Sequence, residues 1–405
     1  MIPHMTDQEV VITGCGVINA IANDFDAFGE AMQAGRTGLR DISSFSADGL
    51  RNTQACEAAR FDSDAVCASR DIRRMDRSSA LVLAAFDQAV KMAGLDPRTV
   101  EPRRGAVVSG STLGGAQTGI QYYRDRKKGQ RRPARLRDYT LHSPGYRICI
   151  ETGFMGPNLV FSTACTSSNL ALASAIDMIR AENADVVIVC GFDSMSEVSA
   201  AGFSVMRNVS PDLCRPFDKN RQGLVLGEGS AVVIVESAGF AARRNATPMA
   251  VLRGYGIMSD AHHMTAPDVT AAGPMAAIQR ALDMAGATSD QIDFICTHGT
   301  GTLHNDAIEA KALHGVLGVR AQEVPATSIK SMVGHTLGAA GTMNAIAALA
   351  AKARSFIPPT VNFETPETTN PLLCSAASRV SRPTLALSNT LGFGGSNCSV
   401  LMELC

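Results

Sequence analysis

The sequence predicts an α/β protein built from two halves of similar topology, and three observations predict it. Short apolar runs of strand length, such as residues 186–189, alternate with longer runs of helical period, such as Leu170, Leu172, Ala173, Ile176, Met178 and Ile179. Glycine is abundant at 36 residues while aromatics are only 5% and Trp is absent, a balance suited to many tight strand-to-helix turns. Later segments also echo earlier ones: 251–256 repeats the apolar run and glycines of 10–16, and 394–403 repeats 227–236. The division falls near residue 245, giving halves 1–245 and 246–405, each expected to hold mixed sheet covered by helices.

In chain order, Val10-Val11-Ile12 reads as a buried strand that ends in the glycine turn Thr13-Gly14-Cys15-Gly16. This stretch lacks a full G-x-G-x-x-G pattern, so no dinucleotide site is expected. Helices are expected over 25–35 and 78–93, the second opened by Asp76 and its serines. Ala106-Val107-Val108 is a strand running into the small-residue stretch 110–115. The apolar approach Leu159-Val160-Phe161 leads through a tight turn into a helix that reaches Ile179, with Cys165 at the break. A strand over 184–189, a glycine turn over 224–229, a strand over 231–236 and a short helix within 237–248 complete the first half. In the second half, a helix over 273–285 and a strand over 294–296 follow the opening strand. Ala326-Thr327-Ser328-Ile329 then enters an Ala-rich helix over 339–351, as Phe161 enters the Cys165 helix.

Composition narrows the function. A net charge of −1, with 19% charged residues, gives no bulk attraction to nucleic acid or membrane. No apolar run has the length of a membrane span, and residues 1–8 do not read as a signal peptide. The eleven cysteines are scattered without metal-ligand or redox spacing, which fits reduced thiols in a cytoplasmic protein and no metal site. One segment is charge-dense: residues 124–137 hold eight Arg and Lys against Asp125. It reads as a solvated loop or as a docking patch for an acidic partner, with nucleic acid a weaker choice.

Four stretches concentrate reactive groups on turns. Cys165 sits where the start of a helix favours the thiolate. Thr297-His298-Gly299-Thr300-Gly301-Thr302 follows a strand, Ser328–Ile329 with Lys330 through His335 precedes a helix, and Gly392-Phe393-Gly394-Gly395-Ser396-Asn397 forms a glycine loop. Alone, Cys165 reads first as a small buried hydrophobe in a strand-to-helix turn. Together, one thiol, two imidazoles, one ammonium and exposed backbone N–H groups suit thioester formation followed by carbanion chemistry. A hydrolase needs one His and an orienting Asn or Asp; a second imidazole suits holding a carbonyl while charge develops on it.

These residues carry a resemblance. STACTSS at 162–168, RPFDKNRQGLVLGEG at 215–229, SDAHHMTAP at 259–267, THGTGT with Asp306 and Glu309, and KSMVGHTLGAAG at 330–341 stand in one order along nearly the whole chain. The chain thereby resembles the elongating β-ketoacyl-[acyl carrier protein] synthases and the related polyketide and aryl-polyene ketosynthases. The resemblance implies a thiolase-like fold of two duplicated βαβαβαββ halves in α-β-α-β-α layers. It implies an acyltransferase that performs a decarboxylative Claisen condensation, with phosphopantetheine arriving on the carrier protein rather than as a resident cofactor. It also implies a dimer, either of identical chains or with a chain-length-factor-like partner, and an acyl carrier protein as substrate bearer. By the resemblance, Cys165 accepts the acyl chain, His298 and His335 hold the malonyl thioester, and Lys330 tunes their electrostatics. Phe393 is the gate, its N–H forming an oxyanion hole with that of Cys165. Thr300 and Thr302 contact the pantetheine arm, Leu113 lines the acyl pocket at the dimer interface, and Asp260, His263 and Gly394 belong to the loops that meet the substrate.

Four positions depart from the family pattern: Asn344 stands for a glutamate, Leu391 for a phenylalanine, and Ile18-Asn19 for Ser-Pro. They bear on acyl specificity and pathway. Other condensing enzymes fit less well. A thiolase would carry a second reactive Cys in a Cys-x-Gly turn, and the initiating synthases use Asn in place of His335. A structural chain-length subunit would not need Cys165 with both histidines.

Overall fold

The computed structural model describes residues 6–58, 60–70 and 75–405; the first five residues of the polar lead lie outside the described residues. The main sheet takes five strands from each half. They are β1 (Val10–Asn19), β2 (Gly105–Gly110), β3 (Asn158–Phe161), β4 (Val186–Asp193) and β5 (Gly229–Ser237), then β6 (Ala250–Ser259), β7 (Phe294–Cys296), β8 (Ala326–Thr327), β9 (Leu385–Gly392) and β10 (Ser396–Leu404). All ten join one mixed sheet in the order β8-β7-β9-β10-β6-β1-β5-β4-β2-β3. Read outward from the centre, the first half runs β1-β5-β4-β2-β3 and the second β6-β10-β9-β7-β8, so each strand has its counterpart five places on. The directions match as well, with the outer three strands of each half parallel and the inner ones antiparallel. Within the sheet the halves pair through Val11 opposite Val251 and Ile12 opposite Ala250.

Helices Ser167–Arg180 and Ala340–Arg354 form the middle layer. Both pack on strands of both halves, which explains why the Ala-rich helix is buried on every side from Ala340 to Ala351. A helix with no solvent-facing side belongs to an interior layer. Helix Arg77–Ala93 covers the outer face of the first half, and helices Ala272–Ala285 and Leu303–Leu317 that of the second. The three largest hydrophobic clusters among the described residues follow this layering, the central one drawing on both halves. The α-β-α-β-α layering is therefore present, with the two sheets continuous across the β1–β6 seam.

The glycines near residue 14 have a different role from the turn expected of them. β1 runs unbroken through Gly14 and Gly16, where a Cβ would stand 2.4 Å and 1.9 Å from the carbonyl oxygens of Ala89 and Ala85. Gly254 and Gly256 in β6 give the same clearance to Ala281 and Ala277. The repeated glycines are notches that let an outer helix settle onto its strand. The 224–229 stretch is likewise extended rather than a turn: Leu226 bridges to His335, and Gly227 donates to the His335 carbonyl at 3.0 Å.

The basic segment is more ordered than a loop, comprising helix Ala116–Lys127 and a 3-10 turn at Pro133–Asp138. Part of its charge is paired, Arg124 with Glu197 at 2.7 Å and Arg135 with Asp125 at 2.9 Å. Arg126, Lys127, Lys128 and Arg131 are exposed and, among the described residues, without an ion pair. No helix among the described residues is long and apolar enough to cross a membrane.

Candidate active site

Two equivalent turns bring the reactive groups together. After β3 the chain makes a 3-10 turn, Ala164–Thr166, before the middle helix; after β8 the turn Leu337–Ala339 does the same. Each turn contains one non-glycine residue in left-handed backbone, Ala164 at φ 54° and Leu337 at φ 50°. Such conformations are held in place by the structure around them and cluster at working sites. The two middle helices begin side by side, so Cys165 on the first turn meets His335 just ahead of the second.

The Cys165 sulfur lies 3.0 Å from His335 Nε2. The Leu337 N–H donates to His335 Nδ1 at 3.1 Å, so Nδ1 is an acceptor and the single ring proton resides on Nε2. His335 is thus a hydrogen-bond donor towards sulfur. Its backbone is fixed by donation to the Val225 carbonyl at 2.7 Å. His298 stands edge-on to His335, with ring centroids 5.3 Å apart and planes at 80°. The His298 ring is buried with no hydrogen-bond partner on Nδ1.

Burial governs the protonation of this group. It pushes the Cys165 thiol up to about 12, against the pull of the Lys330 charge, while Asp193 adds to the rise. The helix start alone therefore does not yield a resting thiolate, contrary to the expectation from sequence; desolvation outweighs it. Burial first, and then Lys330, hold both histidines well below the usual imidazole value, so both are neutral near neutral pH. Burial also lowers Lys330, which the nearby Glu309 opposes.

Neutral buried histidines have a measurable signature. Both titrate lower in the folded than in the unfolded chain, so their contribution is fully present above the unfolded value near 6.5 and is lost as pH falls below it. Each should remove about 1.4 kcal/mol of stability per pH unit below that point. Urea unfolding at pH 7 and pH 5.5 should show wild type losing more stability than a His298→Gln/His335→Gln variant; equal losses would contradict neutral burial.

The His298 loop is organised by the helix that follows it. Glu309 accepts from the N–H groups of His298 and Gly299, each at 2.7 Å. Asp306, three residues earlier and on the same helix face, accepts from Thr300 at 3.0 Å, from Gly301 and from Phe217. Thr300 and Thr302 share a 2.9 Å hydroxyl contact and both line the cleft above Cys165. Asn344, in the place of the family's glutamate, directs its amide to the carbonyls of Cys296, Thr297 and Asn389 at 3.3–3.5 Å and makes no hydrogen bond to Lys330 among the described residues.

The cleft measures about 240 Å³ and is lined by Cys165, His298, His335, Thr300, Thr302, Phe393, Gly394, Asp260 and His263, with Leu391 and Phe203. Asp260 pins the loops together, accepting from Asn397 at 2.7 Å and donating its N–H to the Gly395 carbonyl at 2.8 Å. His263 is exposed and accepts from two backbone N–H groups of its own loop. Gly394 adopts φ 87° and donates to the Met264 carbonyl at 2.8 Å, tying the glycine loop to the Asp260 loop. A Cβ on Gly392 would stand 3.5 Å from the Cys165 nitrogen, which sets the loop bearing Phe393 against that N–H. Leu113 lies outside this cleft and packs on the cluster that includes Met195, Val209, Leu224 and Leu337.

Two contributors had no place in the sequence reading. Asp193, at the end of β4, accepts from Ser111 Oγ, Thr112, Leu113 and Gly338, joining the loop after β2 to the turn behind His335. Nothing in Gly191-Phe192-Asp193-Ser194 marks it. Phe203 packs its ring against Phe393. Asp306 and Glu309 were visible as part of a motif, and two acids three apart at the start of a helix behind a glycine loop are a readable signal for collecting loop N–H groups.

One sulfur and two ring nitrogens from Cys165, His298 and His335 lie within 4.8 Å of one another, close enough for a thiophilic metal ion. His335 suits that role poorly. Ligation through Nε2 would move its proton to Nδ1, which faces the Leu337 N–H.

The comparisons agree along the chain. The family model described as beta-ketoacyl synthase, N-terminal domain, matches residues 7–241, and its C-terminal counterpart matches 249–364. The ketoacyl synthase alpha subunit of the tetracenomycin polyketide synthase from Streptomyces glaucescens is 36% identical, the match covering 98% of this chain and 97% of that protein. The 3-oxoacyl-[acyl-carrier-protein] synthase 2 of Vibrio cholerae serotype O1 is 32% identical over 98% of this chain and 100% of its own. Among solved structures, the ishigamide ketosynthase/chain length factor superposes with a TM-score of 0.91 at 31% identity, covering 98% of this chain and 99% of that one.

Proposed function

We propose, from the premise that this chain belongs to the beta-ketoacyl synthase family, an assignment of residues to the steps of its reaction. The enzyme is an acyltransferase, a ketosynthase that carries out decarboxylative Claisen condensation in fatty-acid or polyketide chain elongation. The observation that carries the assignment is the Cys165–His335–His298 cluster, one nucleophile beside two neutral imidazoles. A purely structural chain-length subunit has no use for it.

In the first step Cys165 sulfur attacks the acyl thioester. The acyl–sulfur bond of the incoming thioester breaks, and the thiol proton ends on the departing pantetheine sulfur. The His335 Nε2–H and the Lys330 charge stabilise the sulfur anion, and the N–H groups of Cys165 and Phe393 receive the oxyanion. In the second step the malonyl carbonyl oxygen lies between His298 and His335. The bond to the carboxylate breaks, carbon dioxide leaves, and the electron pair becomes an enolate held by two imidazole donors. The enolate carbon then attacks the Cys165 thioester, forming the new carbon–carbon bond and expelling the Cys165 sulfur, which regains a proton from solvent. Neutral imidazoles suit this step because they stabilise a forming enolate by donation without protonating it. No resident cofactor enters; the pantetheine arrives with its carrier and runs past Thr300 and Thr302.

The partners we assign are an acyl carrier protein and a second ketosynthase-like chain. The exposed cations Arg126, Lys127, Lys128 and Arg131 support the first, as an acidic carrier would be steered by them. Reversing those four charges should weaken carrier binding several-fold at low salt and much less at high salt; unchanged affinity at low salt would remove the segment from the interface. The second is supported by the open edge of β3 beside the exposed Tyr146, Ile150, Met155 and Leu159. Eleven free cysteines support work in a reducing compartment, the cytoplasm.

The test is product formation. Acyl-carrier thioesters of graded chain length, supplied with malonyl-carrier protein, should give β-ketoacyl products two carbons longer with wild type and none with Cys165→Ala. Product from the alanine variant would overturn the assignment.

A further inference from the structure

We infer that Phe203 is a specificity-determining residue, the fixed half of an aromatic latch that sets how readily bulky groups reach Cys165. The inference rests on Cys165 being the acyl acceptor. Phe393 occupies the tip of the β9–β10 hairpin, followed by Gly394 and Gly395 in left-handed backbone at φ 87° and 75°. The Gly394 Cβ position meets nothing within 4 Å, so the loop has room to change on that side. The Phe393 ring is 37% exposed, a large apolar group covered on only part of its surface. Phe203 is its aromatic neighbour, with ring centroids 5.9 Å apart and planes inclined at 33°.

The two rings are anchored unequally. Phe203 lies on helix Glu197–Val205, is half-buried, and packs against the cluster that includes Met195, Val209, Leu224 and Leu337, the last within the turn behind His335. Phe393 stands at a hairpin tip between Gly392 and Gly394, its loop held by the Gly394 N–H on the Met264 carbonyl and the Asp260 N–H on the Gly395 carbonyl. Both rings line the cleft to Cys165, so movement of Phe393 away from Phe203 widens the approach while Phe203 stays with the wall. An aromatic pair of this kind biases such an equilibrium by about two- to tenfold beyond what its buried area contributes. Phe203 therefore sets the fraction of time the approach is wide without touching the reacting atoms.

Labelling of Cys165 tests this without an acyl substrate. Wild type, Phe203→Ala, Phe203→Leu and Phe203→Tyr are treated with a bulky maleimide or with iodoacetamide, and modification of the Cys165 peptide is followed by mass spectrometry. The latch predicts that Ala and Leu speed bulky labelling by about two- to tenfold, with a smaller effect on iodoacetamide, and that Tyr restores the wild-type rate. In a Phe393→Ala background, Phe203→Leu should have no further effect. Leu matching wild type, or Tyr matching Leu, would show that the residue only fills space and overturn the latch. If Phe203→Ala does not fold, the Leu and Tyr variants decide. Acylation by bulky acyl-carrier thioesters should follow the same order. Labelling in the predicted order with no acyl group on Cys165 would leave the latch standing and refute Cys165 as acceptor.

Discussion

Replacing His335 with alanine should lower the condensation rate by about 100- to 1,000-fold, the cost of removing one preorganised donor from a developing oxyanion, while acylation of Cys165 falls far less. The difference follows from the direction of two hydrogen bonds. The Leu337 N–H occupies Nδ1, so the ring proton sits on Nε2 and points at sulfur and substrate rather than accepting from them. Burial and the Lys330 charge keep the ring from taking a second proton. In acylation the variant loses one contact to sulfur, and Lys330 and the helix start remain. In condensation it loses half of the enolate cradle, which His298 cannot replace from its edge-on position. Burst acylation measured by quenched intact mass and steady-state condensation separate the two. Equal losses in both steps would make His335 a general base and contradict the tautomer assigned here.

Asp193→Ala should destabilise the fold by about 3–5 kcal/mol, more than any single substitution in the cleft lining. The carboxylate is fully buried and receives Ser111 Oγ, two loop N–H groups and the Gly338 N–H. Removing it strands several buried donors at once, each costly to leave without an acceptor. Asn is not a rescue, since its amide would turn a donor towards donors. Both variants should also relax the turn behind His335, so residual activity should fall further than stability explains. Urea unfolding checks the first point. A loss below about 1 kcal/mol would show that the carboxylate does not hold the two loops together.

The fold was legible because its two halves repeat a pattern that sequence displays directly. Strand-length apolar runs, the helix over 78–93 and the Ala-rich helix were each visible from periodicity and capping, and Asp76 does cap its helix. The glycines at 14, 16, 254 and 256 were misread for a physical reason. A glycine that opens a turn and one that admits a neighbouring helix look alike until the neighbour is in place. The same holds for 224–229, whose partner is His335 more than a hundred residues on.

In the candidate site, Cys165, His298, Lys330 and His335 were readable because each sits on a turn beside a regular element. Their protonation was not. Whether a helix start or desolvation governs a thiol depends on how deeply the folded chain buries it, and here burial prevails. Asp193 and Phe203 escaped notice because their roles exist only as contacts between distant segments. Leu113, which the resemblance assigns to an acyl pocket at a dimer interface, packs in this chain on the cluster that contains Leu337.

Intact-protein mass spectrometry after incubation with an acyl-carrier thioester tests the central claim most directly. Wild type should gain the mass of one acyl group, located on the Cys165 peptide, and Cys165→Ala should gain none. An alanine variant acylated to the same extent, or an acyl group found on another cysteine, would contradict the account.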